Sequence, residues 1–388
     1  MLIKKGIKSD LDSKIYYISP YLPKTEKYQE HYSPAAQSKV DYLRSVLSKY
    51  NAITVCVNCS LTVDNSLFLP KKIKDDKGIC QVLLSKSSKK RFLLPICGAI
   101  MLISVFLYVL FYISSKDIVI LYHSIYYDNI IAFLKKIKKF KIVYEVEEIY
   151  ADVRDCGGGR EREIIKCKSV ADAYIFPTEL LDEIINDNND KKSVIIYGAY
   201  SPQNNKRKEN SSNRIVVVYS GTLMKGKGAR EAIESARSLD DRFEIRIIGY
   251  GNSDEIKTIK EMIEKNTSSC RVFFDGMKNG DDFIRYISNC DIGLCIQPSD
   301  NCFNATSFPS KILNYFNCGL NVVATRIEAL SKSQLADYMF FAKDSSPEEV
   351  AKAIQQAADK RVDTYNLLQE LDAKISIKLD DIFKEIRK

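Results

Sequence analysis

Apolar residues fall in short β-branched or aromatic runs separated by stretches of helical spacing. In the first half the runs are Ile15 to Ser19, Ile53 to Asn58, Ile118 to Tyr122, Lys141 to Val146, Ala173 to Pro177 and Ser193 to Tyr197. Runs of this kind, bounded by polar turns and alternating with helices, predict a mostly parallel sheet covered on both faces. Ser201 to Asn213, SPQNNKRKENSSN, breaks the rhythm with a polar, aperiodic stretch that reads as a linker. The alternation then restarts. Strands are predicted at Ile215 to Tyr219, Phe243 to Gly249, Val272 to Phe274, Ile292 to Ile296 and Asn321 to Ala324. Helices are predicted at Gly228 to Ser238, Asp254 to Glu264, Asp282 to Ser288 and Pro309 to Phe316, and Pro347 to Lys388 is helical in pattern. The fold class is therefore α/β, with two successive Rossmann-like domains and C-terminal helices. The expected division is 1–200, a linker 201–213, 214–360, and a last helix over 361–388 placed to return to the first domain.

A length of 388 residues fits that count at roughly 150 residues per domain. The composition, with 45% hydrophobic and 28% charged residues, excludes a disordered, collagenous or multi-span membrane chain. Eleven cysteines without a secretory signal in MLIKKGIKSD predict reduced thiols in a cytosolic protein. Cys56 and Cys59 form a C-x-x-C at the end of a strand-like run with no second pair at zinc spacing, so packing is the expected role.

The net charge of +8 is local. From Lys71 to Lys141, fourteen Lys or Arg stand against four Asp, an excess of ten that leaves the remainder at −2. Inside this window Phe92 to Ser115 is a run of 24 uncharged, mostly apolar residues. As a helix it would be about 36 Å long, enough for a hydrocarbon core of about 30 Å. Crossing would put the flanking strands on opposite sides of a membrane, so the expectation is a helix packed on the first domain, either wholly buried or dipped into the bilayer. The adjoining basic charge points to an anionic membrane surface and not to nucleic acid, for which no motif is present.

Candidate chemistry begins at Gly221-Thr-Leu-Met-Lys-Gly-Lys227-Gly228, a glycine loop between a predicted strand and helix. Exposed backbone N–H groups and a lysine make a phosphate the expected guest, although G-x-x-x-x-G-K-[ST] is absent. Gly249-Tyr-Gly251 is half of a dinucleotide fingerprint in the wrong strand. In Asn304-Ala-Thr-Ser-Phe-Pro-Ser-Lys-Ile-Leu-Asn-Tyr-Phe-Asn-Cys-Gly319, Ser307 is placed to cap a helix opened by Pro309 and ended by Gly319. The first half holds the only histidines, His31 and His123, with His123 at a strand end. Ser33 is placed to cap the helix that follows it. Glu145, Glu147 and Glu148 crowd another strand end, where like charges should raise at least one pKa.

The order G-T-L-x-x-x-K-G, I-I-G-Y-G, V-F-F-D-G, C-D-I-G-L, F-P-S-K-I-L-N-Y-F-N-C-G and N-V-V-A-T resembles the donor-binding half of the retaining glycosyltransferases of family 4 (group 1), which have the B-type fold of two facing Rossmann-like domains. That resemblance implies a bacterial polysaccharide-type glycosyltransferase. It would move a hexose from a nucleotide-diphosphate sugar to a saccharide or lipid-linked acceptor, with retention and without a metal or other cofactor. Gly221, Thr222, Lys227, Thr306, Ser307, Lys311 and Asn314 would bind the donor, with Lys227 on the diphosphate. Ser33 and Glu148 would lie on the acceptor side. Thr222 replaces a phosphate-binding Arg of the family, and Thr306 and Asn314 occupy its E-x7-E positions. Glu147 stands where the family has a catalytic His, and Glu147, His123 and Lys227 are the catalytic candidates in the first reading. The location implied is cytoplasmic, peripheral on the inner membrane face. A nucleotide-sugar epimerase and an inactive partner subunit of the same fold are the alternatives.

Overall fold

The computed structural model of the chain describes residues 13–23, 34–57, 65–154, 159–203, 214–297 and 306–388. The first sheet draws on β1 (Ile15–Ser19), β2 (Ile53–Cys56), the hairpin strands β4 (Lys71–Asp75) and β5 (Gly78–Val82), β7 (Ile118–Tyr122), β8 (Lys141–Glu145), β9 (Ala173–Phe176) and β10 (Ser193–Ile195), with a small separate pair β3 (Leu67–Phe68) and β6 (Ser85–Lys86). Its spatial order is β10-β9-β8-β7-β1-β2-β5-β4, parallel throughout except at the edge pair β4–β5. The hairpin escaped the sequence reading because β4, KKIKD, is largely exposed and carries no apolar alternation. A lysine-rich edge of this kind also discourages pairing with a second chain.

The second sheet holds β11 (Ile215–Thr222), β12 (Phe243–Tyr250), β13 (Arg271–Phe274), β14 (Ile292–Cys295), β15 (Asn321–Thr325) and β16 (Met339–Ala342) in the order β13-β12-β11-β14-β15-β16, all parallel. That is the doubly wound order 3-2-1-4-5-6, in which the chain reverses direction between β11 and β14. Ligands of such sheets bind outside the carboxyl ends of the strands at that reversal.

Helices α1 (Pro34–Leu47), α2 (Leu94–Tyr112), α3 (Asp128–Lys138), α4 (Tyr150–Arg154), α5 (Arg160–Val170) and α6 (Glu179–Ile185) accompany the first sheet. The second has α7 (Ala229–Ser235), α8 (Ser253–Glu264), α9 (Gly280–Ile287), α10 (Lys311–Asn317), α11 (Glu328–Ser331) and α12 (Pro347–Asp359), and α13 (Thr364–Ile386) follows. Helix α2 is the one described helix long and apolar enough to cross a membrane. Because β5 before it and β7 after it share a sheet, it lies on that sheet instead. Cys97, Met101, Val105, Tyr108 and Val109 form its buried face, while Ile96, Ile103, Leu107 and Phe111 remain exposed, Phe111 at 73%. The helix is thus neither wholly buried nor free of the domain.

Helix α13 starts on the second sheet, where Thr364 Oγ1 donates to Phe316 O at 3.0 Å. It then packs against α1 and β10 of the first half, and the Tyr42 and Tyr50 hydroxyls donate to Asp372 and Asp380 at 2.5 Å each. Leu368, Leu371, Ile375, Leu379, Ile382 and Phe383 bury its apolar stripe in a core cluster that also holds Tyr17, Val194, Val218 and Ile312. Leu379 is completely buried. Leu379→Ala is expected to cost about 2 to 5 kcal/mol, seen as a lower midpoint in urea unfolding; an unchanged midpoint would mean that α13 is not part of the cooperative core.

Candidate functional site

Strand β11 ends in Gly221 and Thr222, and the chain then turns through Leu223 to Gly228 before α7. What shapes this turn is Tyr219. Its hydroxyl, buried under the loop, lies 2.7 Å from Thr222 O and 2.8 Å from Lys227 O, tying both ends together. The ring of Tyr219 supports the Lys311 ammonium, 4.3 Å from the ring centroid. A lysine over an aromatic face is held electrostatically while its N–H donors stay available. The sequence reading missed Tyr219, since an inward residue of a buried strand looks like ordinary core.

Gly221 has φ +144, and a Cβ there would come within 3.3 Å of Lys311 Nζ. The missing side chain leaves room beside the ammonium. Gly249 on the neighbouring strand pairs with Gly221, and a Cβ on it would strike Gly221 O at 1.8 Å. The half-fingerprint Gly249-Tyr-Gly251 is therefore explained by the close approach of two strands beneath the loop.

Lys311 opens α10, whose preceding segment follows β14, so the loop after β11 and the segment after β14 flank the reversal point of the second sheet. Burial lowers the pKa of Lys311, and the nearby positive charge of Lys227 lowers it further. Burial also lowers Lys227. Among the described residues no carboxylate forms an ion pair with Lys311. Two ammonium groups brought near each other in a half-buried place favour a polyanion such as a diphosphate.

The remaining donor-side candidates lie around them. Thr306 is buried at the junction of the two halves, its carbonyl accepting from Thr178 Oγ1 at 3.1 Å. Ser307 and Asn314 are half-buried, and Thr222 is half-buried at the strand end. Ser307 does not cap the helix. The helix starts at Lys311 with Ser310 in the capping position, because Pro309 and Ser310 occupy an extra turn that sequence alone assigned to the helix. Gly319, at φ +79, follows its end as expected. Phe308 packs on Tyr197 with ring centroids 4.9 Å apart, joining this segment to the first half.

On the first sheet, β8 ends at Glu145, fully buried, with one carboxylate oxygen accepting from Tyr17 Oη at 2.7 Å. Burial, reinforced by the charge of Glu147, raises Glu145 to about 8. The raised pKa anticipated for this cluster thus falls on Glu145. Glu147, two residues on, is partly exposed and pairs with the buried Lys39 of α1 at 2.5 Å. A partner 108 residues distant leaves no local sequence signal. Glu148 is half-buried. His31, Ser33, Cys59 and Asn304 lie outside the described residues.

His123 departs from expectation. It is 1% exposed, with Nε2 3.6 Å from Glu163 Oε1 and 3.8 Å from Asp128 Oδ2, and its ring packs on Tyr144 and Tyr150. Burial lowers it to about 4, so it is neutral near pH 7. Helices α4 and α5 close over this strand end, which makes His123 a core residue and not a crevice-facing one. Cys56 is buried as expected, next to Cys80. A cavity of about 1190 Å³ between α1, residues 199–201, Asn279, Gly280 and α13 is lined by none of the candidate residues.

Glu145 should make stability depend on pH. Its pKa is raised in the fold from 4.5 to about 8, so the folded state holds a proton that the unfolded chain has lost, and stability falls as pH rises through that window. His123, shifted from 6.5 to about 4, has the opposite sign and acts below 6.5. Between pH 6.5 and 8 Glu145 acts without it. Thermal unfolding across that range is expected to show a decline that Glu145→Gln flattens; equal slopes in both proteins would remove Glu145 as its source.

Comparison with known proteins bears on this arrangement. Residues 201–374 match the family model described as glycosyl transferases group 1. An uncharacterized glycosyltransferase of Methanocaldococcus jannaschii is 24% identical over 198 residues, which are 47% of this chain and 48% of that protein. The chain thus spans about half the length of the curated relative it matches. Among solved structures, an α,α-trehalose-phosphate synthase from Burkholderia xenovorans in complex with glucose-6-phosphate superposes with a TM-score of 0.65 at 10% identity, covering 97% of this chain and 100% of that one. Anabaena HepE in complex with UDP gives 0.61 at 13% identity, covering 96% and 98%. At such identities the likeness concerns the fold, which is that of the B-type glycosyltransferases.

Proposed function

We propose that this chain, a glycosyltransferase whose residues 201–374 are of the group 1 family, transfers a hexose or related sugar from a nucleotide-diphosphate donor to a membrane-associated saccharide or lipid-linked acceptor in surface polysaccharide synthesis. The observation that carries the reading is the pair Lys227 and Lys311 beside Gly221 at the reversal of the second sheet. Two of the fold neighbours were solved with UDP, which makes UDP the first nucleotide to test.

In this reading Lys227 and Lys311 neutralise the charge that develops on the diphosphate as the sugar leaves. Two fixed cations supply that stabilisation without a metal. Thr222, Thr306, Ser307 and Asn314 contribute hydroxyl and amide groups to the donor, with Asn314 in reach of a ribose hydroxyl and no carboxylate at the Thr306 position. Glu147, oriented by Lys39, is the carboxylate placed for the sugar, and Glu148 serves the acceptor side. Positive charge developing at the anomeric carbon is met by Glu147 in a reaction that retains configuration. The exposed apolar face of α2 supports a peripheral seat on the inner face of the cytoplasmic membrane, where a lipid-linked acceptor resides. A second reading, an inactive glycosyltransferase-like partner, is favoured by the missing carboxylate at Thr306 alone.

Thermal shift with UDP, GDP, ADP and CMP conjugates should single out the donor, since a bound ligand raises the unfolding temperature. With that donor, Lys227→Ala is expected to lower kcat/KM by a factor on the order of 10² to 10³, in a protein of unchanged unfolding temperature. Glu147→Gln should lower kcat while the affinity for the free nucleotide diphosphate stays the same, because the phosphate contacts lie in the other half. Full activity in the Glu147 variant would exclude it from the chemistry. Nucleotide binding without any transfer or hydrolysis by the unaltered protein would favour the inactive-partner reading.

A further inference from the structure

The second concentration of charge lies far from the crevice. Helices α3 and α5 lie on the first sheet, and a cavity of about 630 Å³ runs between them from Asn129, in the first turn of α3, to Lys141 and Asp172 beyond the helix ends. Its wall carries Lys135, Lys136, Lys139, Lys141 and Lys166 against a single acid, Asp172. That acid is already engaged by Lys135 at 2.7 Å, and Lys166 lies 3.7 Å from Asp128. Among the described residues no carboxylate forms an ion pair with Lys136, Lys139 or Lys141. Lys141 opens β8 and Asp172 precedes β9, so the part of the cavity that holds Lys139 and Lys141 lies at the amino ends of the strands, whereas the candidate site lies at their carboxyl ends.

Three uncompensated lysines around a concavity invite an anion, and the surroundings specify which kind. Helix α3 also presents Phe133 and Ile137, exposed at 55% and 58%, and Phe133 lines the cavity itself. On its other side α3 contacts α2, where the Lys138 ammonium is bound by the carbonyls of Val109 and Leu110. The exposed apolar stripe of α2 therefore continues across α3 to the rim of the basic cavity. A nucleic acid or an acidic peptide would leave that apolar surface in water. An anionic lipid satisfies both parts at once, with its phosphate among the lysines and its chains against the apolar stripe.

We propose that the cavity between α3 and α5 is a headgroup site for an anionic phospholipid, which fixes how the N-terminal half sits on a membrane. The proposal rests on the peripheral-membrane reading above and adds a specific seat to it. Lys136, Lys139 and Lys141 coordinate the phosphodiester, and Phe133 and Ile137 enter the acyl region beside it.

The test is co-sedimentation of the full chain with vesicles of phosphatidylcholine alone or with phosphatidylglycerol, at low and high salt. Lys136→Gln, Lys139→Gln and Lys141→Gln together remove three charges from the cavity; Lys257→Gln, Lys260→Gln and Lys265→Gln remove three from α8 and its end. Binding to phosphatidylglycerol vesicles is expected to fall on the order of a hundredfold in the first variant and to change little in the second, with nucleotide binding intact in both. Equal losses in both variants would overturn the headgroup site, leaving diffuse attraction. Unchanged binding in the cavity variant together with its loss in Leu107→Glu would also overturn it, while sparing the membrane reading. No binding of the unaltered protein to anionic vesicles at low salt would overturn both.

Discussion

One continuous apolar contact holds the two halves in register, and it is made by α10 and α13. Helix α10 is buried through Ile312, Leu313, Tyr315 and Phe316, and α13 carries the same core from Phe316 across to β10 and α1. Two parallel sheets joined only by a polar linker would be free to move against each other. Here the segment that delivers Lys311 to the glycine loop is also the one that packs Phe308 on Tyr197 and bonds Thr306 to Thr178. The position of a charged group in the site is thus determined by burial of hydrocarbon between the halves.

The candidate residues of the two halves are of opposite charge. The second half supplies ammonium groups whose pKa is lowered by burial, and the first supplies a carboxyl pair, one member raised to about 8 and the other paired with Lys39. Glu145 and Glu147 cannot both ionise cheaply so close together, and the protein resolves this by burying one and pairing the other. Lys39 and Tyr17 hold these two carboxyls in place, and neither contact was evident from the sequence. On the proposed reading Thr306 and Asn314 offer the donor no carboxylate, and Glu147 meets the positive charge on the sugar.

Much of the fold was legible because parallel strands are buried on both faces and read as short apolar runs. The six runs of the first half and the five of the second all became strands, whereas β3 to β6 and β16 did not stand out. β4 is lysine-rich, and β16, MFFA, is four residues at a sheet edge. The glycine loop and Lys227 were legible from local spacing. Lys311 was visible too, but its seat on Tyr219 was not, since that contact is made between residues 92 positions apart. The burial of His123 was hidden for the same reason: a strand-end histidine faces a crevice or a core according to what closes over it, and Glu163 and Tyr150 do so here.

The directions of the elements relate the proposed membrane face to the crevice. Strand β5 runs parallel to β2 and ends at Val82, so the chain leaves it at the carboxyl ends of the sheet, passes β6, and enters α2 there. Helix α2 then runs back along the sheet to reach the amino end of β7 at Ile118. The turn that leads into it, with exposed Phe92 and the basic run Lys89, Lys90 and Arg91, therefore lies toward the side where β8 ends at Glu145. The last turns of α2, with Phe111 and Tyr112, lie toward the amino ends, as do Lys139 and Lys141 of the lysine cavity. A bilayer seated on this face would run alongside the strands without covering their carboxyl ends, and on the proposed reading a lipid-linked acceptor enters the crevice past the start of α2. On that reading the apolar helix, embedded in the sheet along one face, lies beside the path of a membrane-bound substrate.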